Sequence, residues 1–211
     1  MMPGREPTPR RWARKTAAVV AGAAGLSVGV LAALYLRTGP QLEPTVGDIP
    51  ASKTLREDFP LRVWDAPRAL ADFAFEDERG GGVRLADSRG KVVLVNLWAT
   101  WCTPCRKEMP ALDRLEAKLG GPDFAVLAIS IERGGAEKVR AFYGETGVTS
   151  LPIYIDAHGE ASAAIRSPAI PTSVLVARDG KEIGRLYGAA EWDGPAAVDF
   201  IRQRIAASKG R

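Results

Sequence analysis

The sequence predicts an α/β domain, a central mixed sheet flanked by helices, preceded by one transmembrane helix. Strand and helix patterns alternate between residues 92 and 166. Two further strand patterns follow on either side of the turn at 178–181, so the sheet should also contain antiparallel pairs. An uncharged apolar stretch near the N-terminus is long enough to cross a bilayer.

The composition is that of one ordinary globular domain with additional sequence. The chain has 211 residues, of which 46% are hydrophobic and 26% are charged. Its net charge of +4 arises at the N-terminus, because residues 1–40 carry six Lys or Arg and one Glu. Residues 41–211 carry 23 basic and 24 acidic side chains, so they lack the basic surface of a nucleic-acid-binding protein. We therefore expect no nucleic-acid partner.

The N-terminus has the pattern of a membrane anchor. Residues 1–15 form a basic segment, and the uncharged residues 16–36 would span about 30 Å as a helix. The positive charges before this stretch predict a cytoplasmic N-terminus and a translocated C-terminal domain. A cleavable signal peptide with a site at Val30-Leu31-Ala32 is the alternative, but secretory apolar cores usually span about 7–15 residues. We expect an uncleaved, single-pass anchor.

Residues 37–61 are predicted to be a linker and residues 62–211 the globular domain. Prolines 40, 44, 50 and 60 interrupt any regular pattern in the linker. Within the domain, strand patterns at 72–76 and 83–85 predict an extra N-terminal β-hairpin across 77–82.

The elements of the domain follow from hydrophobic periodicity. The run at 92–98 is apolar and β-branched, as in a strand buried on both faces, and 124–131 has the same pattern. Helical spacing between them ends at Gly120-Gly121. The remaining predictions are a helix at 136–145, a strand at 153–155, a helix at 160–166, strands at 173–177 and 182–187, and a last helix that begins at Asp193-Gly194-Pro195.

The two cysteines form a C-x-x-C motif at the predicted start of a helix. Cys102 follows the strand at 92–98, and backbone N–H groups at a helix N-terminus stabilise a thiolate, which lowers its pKa. Cys102 is therefore predicted to be the attacking sulfur, and Cys105, one turn further along, to resolve the mixed disulfide. The redox-active group is the Cys102–Cys105 disulfide itself, so the chemistry requires no cofactor and no metal.

Other uses of the motif remain open. A structural zinc site usually needs four Cys or His ligands, and the chain offers only these two and His158, which we expect in a turn. A static disulfide across so short a loop would stabilise little. Two thiolates could also bind copper(I), because soft ligands suit that ion.

Residues 95–110, VNLWATWCTPCRKEMP, resemble the active-site segment of the TlpA-type thiol:disulfide interchange proteins, relatives of the ResA and CcmG thioredoxins. The segments at 169–173 and 188–192 and the N-terminal anchor fit the same family. The resemblance implies a thioredoxin-like fold, a place at the bacterial inner membrane, and a catalytic domain in the periplasm.

The resemblance also implies roles for individual residues. Pro171 corresponds to the cis-proline that faces the C-x-x-C. Glu108 corresponds to an acid that tunes the thiols and moves protons, although a Glu early in a helix is also favoured by the dipole alone. Asn96 stands where cytoplasmic thioredoxins have a buried Asp. Trp98 and Trp101 are candidates either for the rim around the sulfurs or for the core. The residues expected to contact substrate are Trp101, Thr103, Pro104, Ile170 and Pro171.

The expected function is reduction of disulfides in other proteins. The resemblance implies periplasmic clients, namely a copper chaperone, an oxidase copper-site subunit or apocytochrome c, and re-reduction by a membrane electron donor of the DsbD or CcdA type. An oxidase or isomerase that introduces disulfides, and a non-enzymatic copper(I)-binding module, are the alternative functions.

Overall fold

The computed structural model describes residues 59–208, which form an eight-stranded mixed sheet. The strand order is β1-β8-β7-β4-β5-β6-β2-β3. β4 pairs in parallel with β5 and antiparallel with β7, so the centre of the sheet is mixed, as predicted. The strands are β1 (Arg62–Arg68), β2 (Ala74–Asp77), β3 (Gly82–Arg84), β4 (Val92–Trp98), β5 (Phe124–Ser130), β6 (Tyr154–Ile155), β7 (Thr172–Val176) and β8 (Glu182–Tyr187).

Helices cover both faces of the sheet, which makes two hydrophobic cores. The helices are α1 (Thr103–Leu119), α2 (Gly135–Thr146), α3 (Glu160–Ile165) and α4 (Pro195–Ala207), with a 3-10 turn at Leu85–Ser88. The core on one face joins α1, α2 and α4 to alternate residues of β4 such as Leu94 and Trp98. The core on the other face joins α3 and the β2–β3 hairpin to Val95 and Leu97. β4 is therefore buried on both faces, as its apolar run predicts.

The predicted extra hairpin is confirmed, because β2 and β3 pair antiparallel around a turn at 78–81. β1 was not predicted from the sequence. It is an edge strand, most of its side chains are exposed, and it contains Pro67, so it lacks the period of a half-buried strand. It nevertheless pairs antiparallel with β8.

The packed domain includes the C-terminal end of the predicted linker. Leu61 is buried in the core, and the Phe59 ring lies 5.1 Å from the Trp192 ring, centroid to centroid. The boundary predicted at residue 62 is therefore too late, because the proline between these apolar residues conceals their pattern.

The predicted basic segment, anchor and nearly all of the linker, residues 1–58, lie outside the described residues. Between residues 59 and 208, no helix has both the length and the apolar character needed to cross a membrane.

Candidate active site

Cys102 and Cys105 lie where the buried strand β4 gives way to α1. Cys102 occupies the position immediately before the first helical residue, Thr103. Its Sγ accepts a hydrogen bond from the backbone N–H of Cys105 at 3.3 Å, and the two sulfurs are joined in a disulfide. A helix-terminal N–H therefore points at the sulfur of the predicted nucleophile, where it would stabilise negative charge.

The two sulfurs differ in their access to solvent. Cys102 is 6% exposed, whereas Cys105, in the first turn of α1, is fully buried. A partner molecule can therefore reach Cys102 before Cys105. This asymmetry fits the predicted division into an attacking and a resolving sulfur.

The loop before β7 forms the opposite wall of the site. The Ile170–Pro171 peptide bond is cis, and the Ile170 carbonyl oxygen lies 3.8 Å from Cys102 Sγ. The Thr172 hydroxyl donates to the Ala169 carbonyl at 2.7 Å and accepts from the Ser167 hydroxyl at 2.6 Å, which fixes the loop. Ile170 and Pro171 thus lie beside the disulfide, and their contact with substrate stays a prediction.

Glu108 lies one helical turn after Cys105, on the same buried side of α1. Its Oε1 accepts a hydrogen bond from Asn96 Nδ2 at 2.9 Å. Its Oε2 accepts from the backbone N–H of Ala190 and from Trp192 Nε1, each at 3.1 Å. Among residues 59–208, no basic side chain forms an ion pair with this carboxylate.

The environment of Glu108 favours its neutral form. Burial raises the pKa of the Glu108 carboxyl from its ordinary value of 4.5 to about 7, although all three hydrogen bonds oppose that shift. The carboxyl can therefore take up or release a proton near neutral pH. A proton-transfer role in the exchange remains a prediction, which this geometry permits.

Comparison with known proteins gives the family. The sequence model of the AhpC/TSA family matches residues 67–182, more than half of the chain. The chain belongs to the AhpC/TSA family. The matched region of this AhpC/TSA-family protein includes the disulfide, Glu108 and Pro171, but it ends before Trp192.

The relatives of this AhpC/TSA-family protein agree with the resemblance seen in the sequence. It is 31% identical over 117 residues to thiol-disulfide oxidoreductase ResA of Bacillus thuringiensis (strain Al Hakam). That match covers 56% of this chain and 66% of the relative, just under two thirds of its length.

Solved structures confirm the predicted thioredoxin-like fold. A Chlorobium tepidum protein assigned as thiol:disulfide interchange protein DsbE is 28% identical with a TM-score of 0.56, covering 68% of this chain and 97% of that one. A Bacteroides thetaiotaomicron protein assigned as a protein disulfide isomerase is 32% identical with a TM-score of 0.59, covering 70% of this chain and 94% of that one.

The structure separates the two tryptophans of the motif. Trp98 is fully buried, and its ring stacks on Tyr143 with the ring centroids 5.9 Å apart. Trp101 is 64% exposed next to Cys102, and Thr103 and Pro104 are exposed on the first turn of α1. Of the two alternatives, Trp98 is thus a core residue and Trp101 forms part of the rim.

Several polar residues of the site were missed by the sequence analysis. Glu132, two residues after β5, accepts hydrogen bonds from the Thr100 hydroxyl at 2.5 Å and the Thr100 backbone N–H at 3.3 Å, which anchors the turn before Cys102. Trp192 and Ser173 contact the Glu108–Asn96 pair from distant parts of the chain. Only the polar Ser173 within an apolar strand pattern gives a signal in the sequence.

In the described part of the chain, no group of three or more His, Cys, Asp or Glu is arranged to hold a metal ion. His158 is exposed in the turn before α3, where its Nε2 lies 3.4 Å from a Glu76 carboxylate oxygen. Its position agrees with the predicted turn.

Proposed function

We propose that this protein is a thiol:disulfide oxidoreductase that reduces disulfides in other proteins through Cys102 and Cys105. One observation carries the proposal: Cys102, the more exposed of the two cysteines, has a sulfur that receives a helix-terminal N–H, faces the Ile170 carbonyl, and is joined to the fully buried Cys105. The names of the ResA and DsbE relatives support thiol:disulfide oxidoreductase activity, and the reducing direction is our proposal.

The reaction balances two electrons and two protons. In the reduced protein, the Cys102 thiolate attacks one sulfur of the client disulfide, forms a mixed disulfide and releases the other client sulfur as a thiolate. Cys105 then loses its proton and attacks Cys102 Sγ, which releases the second client sulfur and restores the Cys102–Cys105 disulfide. The protons of the two protein thiols end on the two client thiols, so the client is reduced as the protein is oxidised.

Glu108 is the proposed acceptor for the proton of Cys105. It lies one turn away on the buried side of α1, and its pKa of about 7 allows it to hold that proton transiently at neutral pH. Asn96, which stands where cytoplasmic thioredoxins have an acid, cannot accept it as a base.

We place this chemistry in the periplasm, on a domain tethered to the bacterial inner membrane by residues 16–36. Because the periplasm has no reducing thiol buffer, a reductant there needs electrons from across the membrane, supplied by a DsbD- or CcdA-like donor. The proposed clients are a copper chaperone, an oxidase copper-site subunit or apocytochrome c. Carbonate extraction of membranes tests the tether, since a cleaved, shortened product would be extracted.

An oxidase or isomerase is the second candidate, and the relative assigned as a protein disulfide isomerase favours it. The two functions differ in the reduction potential of the Cys102–Cys105 pair. A reductant should have a potential near that of thioredoxin, about −270 mV, whereas a value near about −120 mV would reverse the proposed direction.

The decisive experiment is a substrate trap in the full chain. In Cys105→Ser, the mixed disulfide on Cys102 cannot be resolved, so the client should remain attached through membrane purification and be identified by mass spectrometry. Cys102→Ser is the matched control, because its remaining cysteine is buried and should capture nothing. A failure of Cys105→Ser to accumulate any mixed disulfide, together with stoichiometric copper(I) binding by the reduced protein, would instead establish a copper-binding module.

A further inference from the structure

A groove rich in arginine lies on the face of the sheet that carries α3. It has a volume of about 580 Å³ and runs between β1, β8 and the C-terminal end of α3. We call it the arginine groove, and its walls include Trp64, Arg68, Arg166, Arg185 and Tyr187.

Two of the groove's arginines carry charge that the described protein does not neutralise. Arg68 and Arg166 are exposed, and neither forms an ion pair with an acid between residues 59 and 208. The Arg68 guanidinium lies over the Trp64 ring, 3.5 Å from its centroid, so it is held in place while its edges stay open to a ligand.

Of the described residues that line the groove, the single acid is already neutralised. Glu182 is 3% exposed, and its two oxygens accept hydrogen bonds from Arg185 Nε and a terminal Arg185 nitrogen, both at 2.6 Å. Trp64 Nε1 also donates to Glu182 Oε1, at 2.8 Å. Within residues 59–208, the groove therefore presents two open positive charges, one of them on the Trp64 ring, and no free negative charge.

One wall residue of the arginine groove, Tyr187, lies beside the loop that faces Cys102. Tyr187, which is 56% exposed, pairs across the sheet with Thr172, and the next backbone N–H, that of Gly188, donates to the Pro171 carbonyl at 2.9 Å. Arg185 donates to the Tyr187 hydroxyl at 3.0 Å and so fixes that ring. At the end of α3, Arg166 begins the loop that leads to Ile170.

We propose that the arginine groove binds an acidic segment of the client protein, in the stretch of chain that extends from the disulfide attacked by Cys102. This inference rests on the proposed function and adds to it a client class, proteins with acidic side chains beside the reactive disulfide. The client is favoured over an anionic membrane because two groove residues, Tyr187 and Arg166, neighbour the loop that faces Cys102 in the sheet and along the chain.

The test compares the reduction rates of disulfide peptides by the full chain. The peptides carry the same disulfide next to a run of either glutamates or glutamines. At low salt we expect the glutamate peptide to be reduced about fivefold faster, since each exposed charge pair contributes modestly, and the preference should vanish at about 1 M salt. The double variant Arg68→Gln with Arg166→Gly should lose the preference and keep the rate on the glutamine peptide.

Two controls separate charge from folding. Arg166 has a φ of 51°, a left-handed conformation that glycine adopts readily, so Arg166→Gly removes the charge with little strain. The variant Arg68→Lys should retain most of the preference for the glutamate peptide, because lysine keeps the positive charge. Arg79→Ala removes an exposed arginine from the turn between β2 and β3, at the other edge of the sheet, and should change nothing.

The outcomes distinguish the two proposals. If neither peptide is reduced, the proposed function fails. If both are reduced at equal rates, or if the double variant keeps the preference, only the arginine groove proposal is overturned. It is also overturned in favour of a membrane surface if vesicles containing phosphatidylglycerol, but not the glutamate peptide, protect Arg68 and Arg166 from phenylglyoxal.

Discussion

Replacing Glu108 with Gln should make the stability of the oxidised protein less dependent on pH. A pKa raised from 4.5 to about 7 corresponds to a penalty of about 3 kcal/mol on the ionised form in the folded state. Because the folded-state pKa is the higher one, the contribution of this carboxyl is fully present below about pH 4.5 and is lost as the pH rises through about 7. Gln has no charged form and escapes this loss.

Urea unfolding of the oxidised full chain at several pH values measures the effect. The difference in free energy of unfolding between Glu108→Gln and the parent protein should shift by about 3 kcal/mol in favour of the variant as the pH rises from about 4.5 to about 8. Glu191→Gln, which alters an exposed carboxyl in the loop before α4, is the matched control and should give no such change. Glu108→Gln should also flatten the pH profile of disulfide exchange near pH 7. A pH-independent difference in unfolding free energy between parent and variant would refute the reasoning.

Other substitutions test the packing around the site. Trp98→Ala should lower the free energy of unfolding by about 3–5 kcal/mol, because it empties a fully buried position. Trp101→Ala should change it by less than about 0.5 kcal/mol while slowing exchange with protein disulfides; a large loss of stability would contradict its place on the rim. In Gly184→Ala the new Cβ would lie 2.6 Å from a Leu61 methyl carbon and close to backbone, so urea unfolding should show a loss of about 1–3 kcal/mol. Gly82→Ala, with no atom within 4 Å of its Cβ, should be nearly neutral in the same assay.

The sequence was sufficient to predict most of the sheet. Unbroken apolar runs predict the two buried strands β4 and β5, and the turn at 178–181 predicts that β7 and β8 pair. β1 was not predicted, because an exposed edge strand has no buried face and so no alternation of apolar and polar residues. Its partner β8 is also distant in the sequence. The burial of Leu61 depends on that pairing and was missed with it.

The local parts of the candidate site could be predicted from the sequence, but the contacts between residues distant in the sequence could not. Cys102 and Cys105 follow from a local motif, and the position of Glu108 follows from helical spacing. The donors to Glu108 could not be predicted, because Trp192 lies 84 residues further along and reaches the carboxylate only once the loop before α4 folds over α1. Burial, which raises the pKa of Glu108, is likewise a property of the assembled core.

The hydrogen bonds of Asn96 offer a physical reason for an amide, rather than a second acid, beside Glu108. When Glu108 is ionised, Asn96 Nδ2 donates both to it and to the Ser173 hydroxyl oxygen, and Asn96 Oδ1 has no hydrogen-bond partner within residues 59–208. A protonated Glu108 needs an acceptor, and a half-turn of the amide would present Oδ1 to it, while the Ser173 hydroxyl can donate in its turn. Asn96 can thus form a hydrogen bond with either protonation state of Glu108 without changing its own charge. An aspartate there would couple its titration to that of Glu108 and spread the proton over two sites, whereas the amide leaves Glu108 as the single carboxyl that titrates in this buried pair.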